Sequence, residues 1–303
     1  MLAEEKIKIE LNYKIVKQIG QGSYSCVYLV EDKDKNRFAM KNLDNVSSPY
    51  KIEELALKDK LKDCSKINMP ILNDDKYIIY NYFKNGDLKH YIKANGALSE
   101  SQVKILLLDM IEALHLIHTN NIIHNDIKPF NIFIDEDGGF VLSDFGLSEN
   151  RRGSFDDISR SIKGTMEYIA PEKFKKEYSY TSDIYSLGCV LFFALTAKLP
   201  YGIDEDDDMA STVYAHLEKE LVIPDSISSD MGNIIKNMML KDPKERYTIK
   251  QIKEAIEKLE IQNDTIDTSN IKFVEKDFKS KRDISREIDI SGSFDLSQIS
   301  KKK

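Results

Sequence analysis

The chain has no tryptophan and only three cysteines among its 303 residues, and each scarcity excludes something. Cys26, Cys64 and Cys189 are scattered, cannot all pair and show no C-x-x-C spacing. A disulfide-stapled scaffold and a cysteine metal site are therefore set aside in favour of free thiols in a reducing, cytoplasmic setting, with nuclear access left open. Long hydrophobic runs are missing too. The longest nearly apolar stretch, Gly188 to Ala197, is about half of the roughly 20 residues that a spanning helix requires, so a buried core helix is expected and membrane insertion is not. Met1 to Glu10 alternates charge with Ile and lacks the apolar centre of a secretory signal. Basic excess is absent: 44 Lys and Arg against 51 Asp and Glu give a net charge of −7. Specific nucleic-acid binding is not expected, because neutralising phosphates requires a basic surface. The scarcity of arginine looks like compositional bias and carries no mechanism.

What remains is a globular composition, 41% hydrophobic and 31% charged, long enough for about two domains at about 150 residues each. From Tyr13 to Tyr82 short β-branched and aromatic runs at 13–19, 26–30, 37–41 and 77–82 predict strands. A helical stretch at 50–62 interrupts them, placing Glu54, Leu57 and Leu61 on one face. After Asn85-Gly86 the period changes: 99–119, 181–197, 229–240 and 248–259 read as helices, the first opened by a Ser99/Gln102 capping box. The expected fold class is α+β, a β-rich lobe over 1–84 with one helix and a mainly helical lobe over 85–260. The segment 261–303 is charged and Ser-rich without sustained period, and reads as a flexible tail on which a partner could dock.

Gly20-Gln21-Gly22-Ser23-Tyr24-Ser25 falls between two predicted strands, where a backbone hairpin can approach a polyphosphate. Ser25 stands where a third glycine would complete G-x-G-x-x-G, and no Gly-Lys-Ser/Thr ending marks a P-loop. Phe38-Ala39-Met40-Lys41 ends the third strand. Then come His124-Asn125-Asp126-Ile127-Lys128-Pro129-Phe130-Asn131, Asp144-Phe145-Gly146 eighteen residues after Asp126, and Ala170-Pro171-Glu172. In order and spacing these segments resemble V-A-I-K, H-R-D-x-K-x-x-N, D-F-G and A-P-E of the eukaryotic-type Ser/Thr protein kinases, subfamily unassigned. The match runs from about residue 13 to 258.

The resemblance implies a two-lobed protein-kinase fold and transfer of the γ-phosphoryl group of MgATP to Ser/Thr hydroxyls of protein substrates. ATP and Mg²⁺ are the implied cofactors, and a kinase-shaped ATP-binding scaffold without transfer is the alternative. The chemistry asks mainly for positioning and charge neutralisation. Asp126 would accept or orient the substrate hydroxyl's proton, and Lys128 would stabilise the moving phosphoryl group. Asn131 and Asp144 are hard oxygen ligands suited to Mg²⁺. Lys41 would reach the α and β phosphates with Glu54 as its partner, Glu53 being the competitor whose helical face carries Lys60. Thr165 would bridge Asp126 and Lys128; with Lys128 it marks a Ser/Thr enzyme. By the same analogy Gly20, Gln21, Gly22, Ser23 and Ser25 cover the phosphates, and Val27, Ala39 and Phe133 enclose adenine. Tyr80 is the gatekeeper, and Asn81, Tyr82 and Phe83 form the hinge. His124, Phe145, Gly146, Glu172, Asp183 and Arg246 are expected to be structural, with Asp183 anchoring the catalytic loop and Arg246 pairing with Glu172.

Asn125 replaces the arginine of H-R-D, which implies a non-RD kinase weakly dependent on phosphorylation of the loop bearing Ser154, Ser159 and Ser161. The acidic run Asp204–Asp208, with Asp87, reads as solvated loop charge; the sharper alternative is attraction of basic substrates, which Phe130 opposes by standing where many basophilic kinases carry Glu.

Overall fold

The computed structural model describes residues 13–21, 26–42, 57, 60–61, 64–73, 77–145, 148–150, 166–175, 177, 179–204 and 206–259. The chain divides into two compact units, one containing 1–46 and 70–82, the other 47–69 and 83–274.

In the first unit β1 (Lys14–Gln21), β2 (Cys26–Glu31), β3 (Arg37–Asn42), β4 (Leu72–Asn73) and β5 (Tyr77–Asn81) form an antiparallel sheet in the order β1-β2-β3-β5-β4. The β2–β3 turn is closed by Asp32, whose carboxylate accepts the N–H groups of Asp34 and Asn36 at 2.8 and 2.9 Å, with Lys35 left-handed at φ 66°. Register then partitions the side chains, since residues directly opposite across a ladder share a face. Val27 faces Lys41, which faces Ile78, and Leu29 faces Ala39, which faces Tyr80. The other face carries the larger cluster of Val30, Met40, Tyr77 and Ile79, with Tyr13, Ile15, Tyr28, Phe38 and Leu72 packed against it.

The second unit is mainly helical, with α1 (Leu88–Asn95), α2 (Glu100–Thr119), α3 (Tyr180–Thr196), α4 (Met209–Glu218), α5 (Ser229–Met238) and α6 (Ile249–Ile256). Two short antiparallel two-stranded sheets accompany them, β6 (Ile122–Ile123) with β9 (Glu149–Asn150) and β7 (Ile132–Ile134) with β8 (Phe140–Leu142). Ser99 caps α2 and its capping box with Gln102 is complete, as the sequence predicts. Val103, Leu106, Leu107, Met110, Ile111, Leu114 and Ile117 then form the buried stripe of α2. The apolar run of α3 is a core helix, buried continuously from Ser182 to Ala194. Gly188 is required there, because a Cβ would lie 2.6 Å from the Cγ of Met239. Leu57 and Leu61, from the stretch predicted as a helix of the first lobe, are helical and join the apolar core of the second unit. Among the described residues no helix is long and apolar enough to cross a membrane, and all three cysteines are free thiols.

A buried polar chain crosses this core. The Tyr185 hydroxyl lies 2.8 Å from His216 Nδ1 and 2.9 Å from the Tyr201 hydroxyl, and Lys241 Nζ sits 4.0 Å over the Tyr201 ring. Burial, helped by the charge of Lys241, lowers the His216 pKa to about 3, and burial likewise lowers that of His124 against the opposing charges of Asp183, Asp126 and Asp144. Both imidazoles are therefore neutral in the native state and protonate freely only on unfolding. As pH falls below the unfolded value near 6.5 the unfolded chain binds protons the native chain does not, so stability drops, by at most about 1.4 kcal/mol per pH unit for each histidine. Urea unfolding between pH 7 and 4.5 should show a falling midpoint, with a shallower slope in His216→Gln.

Candidate active site

The sheet of the first unit presents Gly20, Val27, Ala39, Lys41 and Tyr80 on a single face, because Gly20 opposes Val27 and the remaining pairs follow in register. Gly20 lies close enough to Val27 that a Cβ would meet its Cβ at 3.2 Å. Gly22, Ser23, Ser25, Glu53 and Glu54 lie outside the described residues, as do Gly146, Thr165, Ser154, Ser159, Ser161 and the 261–303 segment.

In the second unit, Phe83 stacks on Phe133 with ring centroids 5.4 Å apart, so the residue expected in the hinge and the residue expected beneath adenine are neighbours. The loop from His124 to Asn131 is fixed by its backbone. Asp183, only 1% exposed on α3, accepts the N–H of His124 at 2.9 Å and that of Asn125 at 3.0 Å, while His118 Nε2 lies 2.9 Å from the same carboxylate. Burial pushes the Asp183 carboxyl up, but the hydrogen bond and charge of His118, with the charge of Lys173, outweigh it and hold the group below its usual range. His124 is fully buried, packs edge-on against Phe145 at 4.7 Å, and receives the Asp126 N–H on Nδ1 at 3.3 Å.

Asn125 and Asp144 both have left-handed backbones, at φ 69° and φ 65°. Such conformations are uncommon outside glycine and cluster at functional sites, and Asn and Asp adopt them at lower cost than most residues.

The Asp126 carboxylate is met on Oδ2 by Lys128 Nζ at 2.8 Å and by Asn131 Nδ2 at 2.9 Å. Its Oδ1 accepts no hydrogen bond from a described residue. Asn131 also gives its amide N–H to the Asp126 carbonyl at 2.8 Å, so the amide nitrogen is engaged and the carbonyl oxygen is the atom left for a cation. Ser143 N–H donates to the backbone carbonyl of Asn131 at 2.8 Å, tying the end of β8, just before exposed Asp144, to this loop and leaving the Asn131 side-chain oxygen untouched. The donor set fits Mg²⁺, which takes hard oxygens and keeps waters and phosphate oxygens as its remaining ligands.

Away from the loop, Glu172 accepts a two-pronged Arg246 guanidinium, both N···O distances 2.6 Å, and the Ser182 hydroxyl at 2.6 Å. Arg246 completes its donors on the carbonyls of Leu240, Thr181 and Lys241. Burial pushes the Glu172 carboxyl up, but the Arg246 hydrogen bonds and charge prevail and keep it ionised.

Comparison of the sequence with known proteins gives the family. The sequence fits the family model for the protein kinase domain over residues 13–256. The chain belongs to the protein kinase domain family. Protein kinase 3 of Dictyostelium discoideum is 30% identical over 261 residues, covering 80% of this chain and 28% of that protein. A probable serine/threonine-protein kinase of Clostridium perfringens is 29% identical, covering 82% of this chain and 38% of its own length. An Aurora kinase of Debaryomyces hansenii is 29% identical over 80% of this chain and 60% of its own. The chain thus spans well under half of the first two relatives, and similarity at one level to differently named kinases assigns no subfamily.

Two kinase-site features escaped sequence reasoning. His118, the side-chain partner of Asp183, sits in a helix stripe with nothing to mark it. Lys173 Nζ donates to the Asn125 carbonyl at 2.8 Å, although it reads in sequence as one of several surface lysines after Glu172. Removing one member of the Glu172–Arg246 pair leaves a buried unpaired charge, so Glu172→Ala should lose about 3–5 kcal/mol in urea unfolding. The double variant Glu172→Met/Arg246→Met should lose less than either single truncation.

Proposed function

We propose that the chain is an active serine/threonine protein kinase that moves the γ-phosphoryl group of MgATP onto Ser or Thr hydroxyls of protein substrates. The observation that carries this reading is the Asp126 carboxylate, gripped on Oδ2 by Lys128 and Asn131, while Oδ1 accepts no hydrogen bond from a described residue. Asp126 Oδ1 orients the acceptor hydroxyl and takes up its proton. Lys128, at the edge of the same carboxylate, is a point charge for the phosphoryl oxygens as they separate from the leaving group. Mg²⁺, when bound, neutralises phosphate charge, and Asn131 Oδ1 with the Asp144 carboxylate are the oxygens that would hold it. Lys41, on the same sheet face as Val27, Ala39 and Tyr80, is suited to the α and β phosphates, with Glu54 as its assigned partner. The Ser/Thr class rests on Lys128 and Gly164-Thr165, supported by the names of the relatives. The free thiols support an intracellular, cytoplasmic setting.

The acidic groups considered for the attraction of basic substrates also serve the local backbone. Asp87 caps α1 through the His90 N–H and pairs with the His90 ring, Asp208 caps α4, and Asp207 accepts the Asp204 N–H.

Asn125 offers no guanidinium for a phosphorylated loop, which makes the enzyme of non-RD type. Asp126→Asn should lower transfer from radiolabelled ATP by about 10²–10⁴-fold while Mg²⁺-dependent nucleotide binding persists. Equal labelling by both forms would reject the assignment, and nucleotide binding without transfer by the unaltered chain would favour a scaffold. Phosphatase treatment, or alanine at Ser154, Ser159 and Ser161 together, should change the rate by less than about twofold, whereas a loss of about tenfold would reject independence from loop phosphorylation.

A further inference from the structure

The Asn125 peptide is held from both ends. Its N–H is taken by Asp183 Oδ1 at 3.0 Å, and its carbonyl accepts the Lys173 ammonium at 2.8 Å. The carbonyl belongs to the peptide that leads into Asp126, whose own N–H rests on His124 Nδ1. Every polar group of the backbone entering Asp126 is thereby engaged, and the left-handed φ of 69° is locked rather than merely tolerated.

Lys173 is an unusual donor for this purpose. It is 8% exposed, and an ammonium withdrawn from water to that degree is costly unless acceptors meet it. Its charge also bears on Asp183, whose carboxylate holds the other end of the same peptide. It lies in the turn Pro171–Lys175, directly after Glu172, which fastens that turn to Arg246 and Ser182. Two consecutive residues of opposite sign therefore fix the turn to two places, Glu172 to the helical core and Lys173 to the catalytic loop.

We infer that Lys173 is a positioning residue for phosphoryl transfer, its ammonium fixing the Asn125–Asp126 peptide and so aiming the Asp126 carboxylate in a chain that has no arginine at position 125. The cation comes from the turn that follows the short helical turn Met166–Tyr168, so the aim of Asp126 is coupled to the seating of that segment. A permanent lysine acts here without any added phosphate. The inference rests on the kinase reading above.

The test compares the full chain with Lys173→Met, which keeps the stem and removes the charge, and with Lys173→Arg, which restores a cation. Steady-state transfer to a protein substrate is measured beside thermal melting and amide hydrogen exchange of the 122–128 segment without nucleotide. Lys173→Met should lower kcat by about tenfold or more with KM for ATP changed less than about twofold, and Lys173→Arg should recover most of kcat. Exchange at the Asn125 and Asp126 amides should rise in Lys173→Met and return in Lys173→Arg. An unchanged kcat, unchanged exchange, or a loss confined to melting temperature would overturn the inference. Absence of transfer by the unaltered chain would instead defeat the kinase reading, and the exchange measurement would still decide the role of Lys173. If Lys173→Met does not fold, Lys173→Gln replaces it, and failure of both to fold would make the lysine a folding residue and overturn the inference.

Discussion

The Asp183 carboxylate is almost wholly withdrawn from water, and an ionised group so placed persists only where donors surround it. Here the donors are the successive backbone N–H groups of His124 and Asn125, joined by the His118 ring. The arrangement works in both directions. The loop cannot leave without stranding a buried charge, and the charge cannot be removed without releasing two backbone donors. Everything the loop presents, from the Asp126 carboxylate to the Asn131 amide, inherits its position from this contact. Because Asp183 stands in the first turn of a helix buried along most of its length, the loop is referred to the buried core of the second unit.

Much of this was readable in the amino-acid order, for identifiable reasons. The strands of the first unit and the helices of the second follow local periodicity and capping, which depend on neighbours a few residues apart; the Ser99/Gln102 box is a case where two letters set a boundary. His124, Asp126, Asn131, Asp144, Glu172, Asp183 and Arg246 were legible because each sits in a motif of restricted spacing. Lys173 and His118 were not, since their partners lie 48 and 65 residues away and nothing local distinguishes them from exposed neighbours. Asp87 and Asp208 were legible as acids but not as caps, since a cap is defined by where the helix beside it starts.

Buried polarity in the second unit is concentrated and shared. Arg246 lies 4.8 Å over the Tyr185 ring while binding Glu172, and Tyr185 in turn meets Tyr201 and His216. The ion pair and the hydroxyl chain thus touch through one aromatic ring, and a change at either end is felt by the other. Such networks are costly when half satisfied and restrictive when complete, which favours a single packing of α3 against α4.

Among the described residues the sheet of the first unit carries its larger apolar cluster on one face and Val27, Leu29, Ala39, Ile78 and Tyr80 on the other. Leu29, Ile78 and Tyr80 on that second face are buried while Val27 and Ala39 are only partly so, and a unit this small has stability still to gain. Any flat apolar group that settles against Val27, Ala39 and Tyr80 would supply the missing cover, so occupancy and folding of this unit are thermodynamically linked. At a ligand concentration a hundred times its dissociation constant that linkage amounts to about 2.7 kcal/mol. The first unit would then be a lobe whose resistance to heat and proteolysis reports how much ligand the surroundings contain.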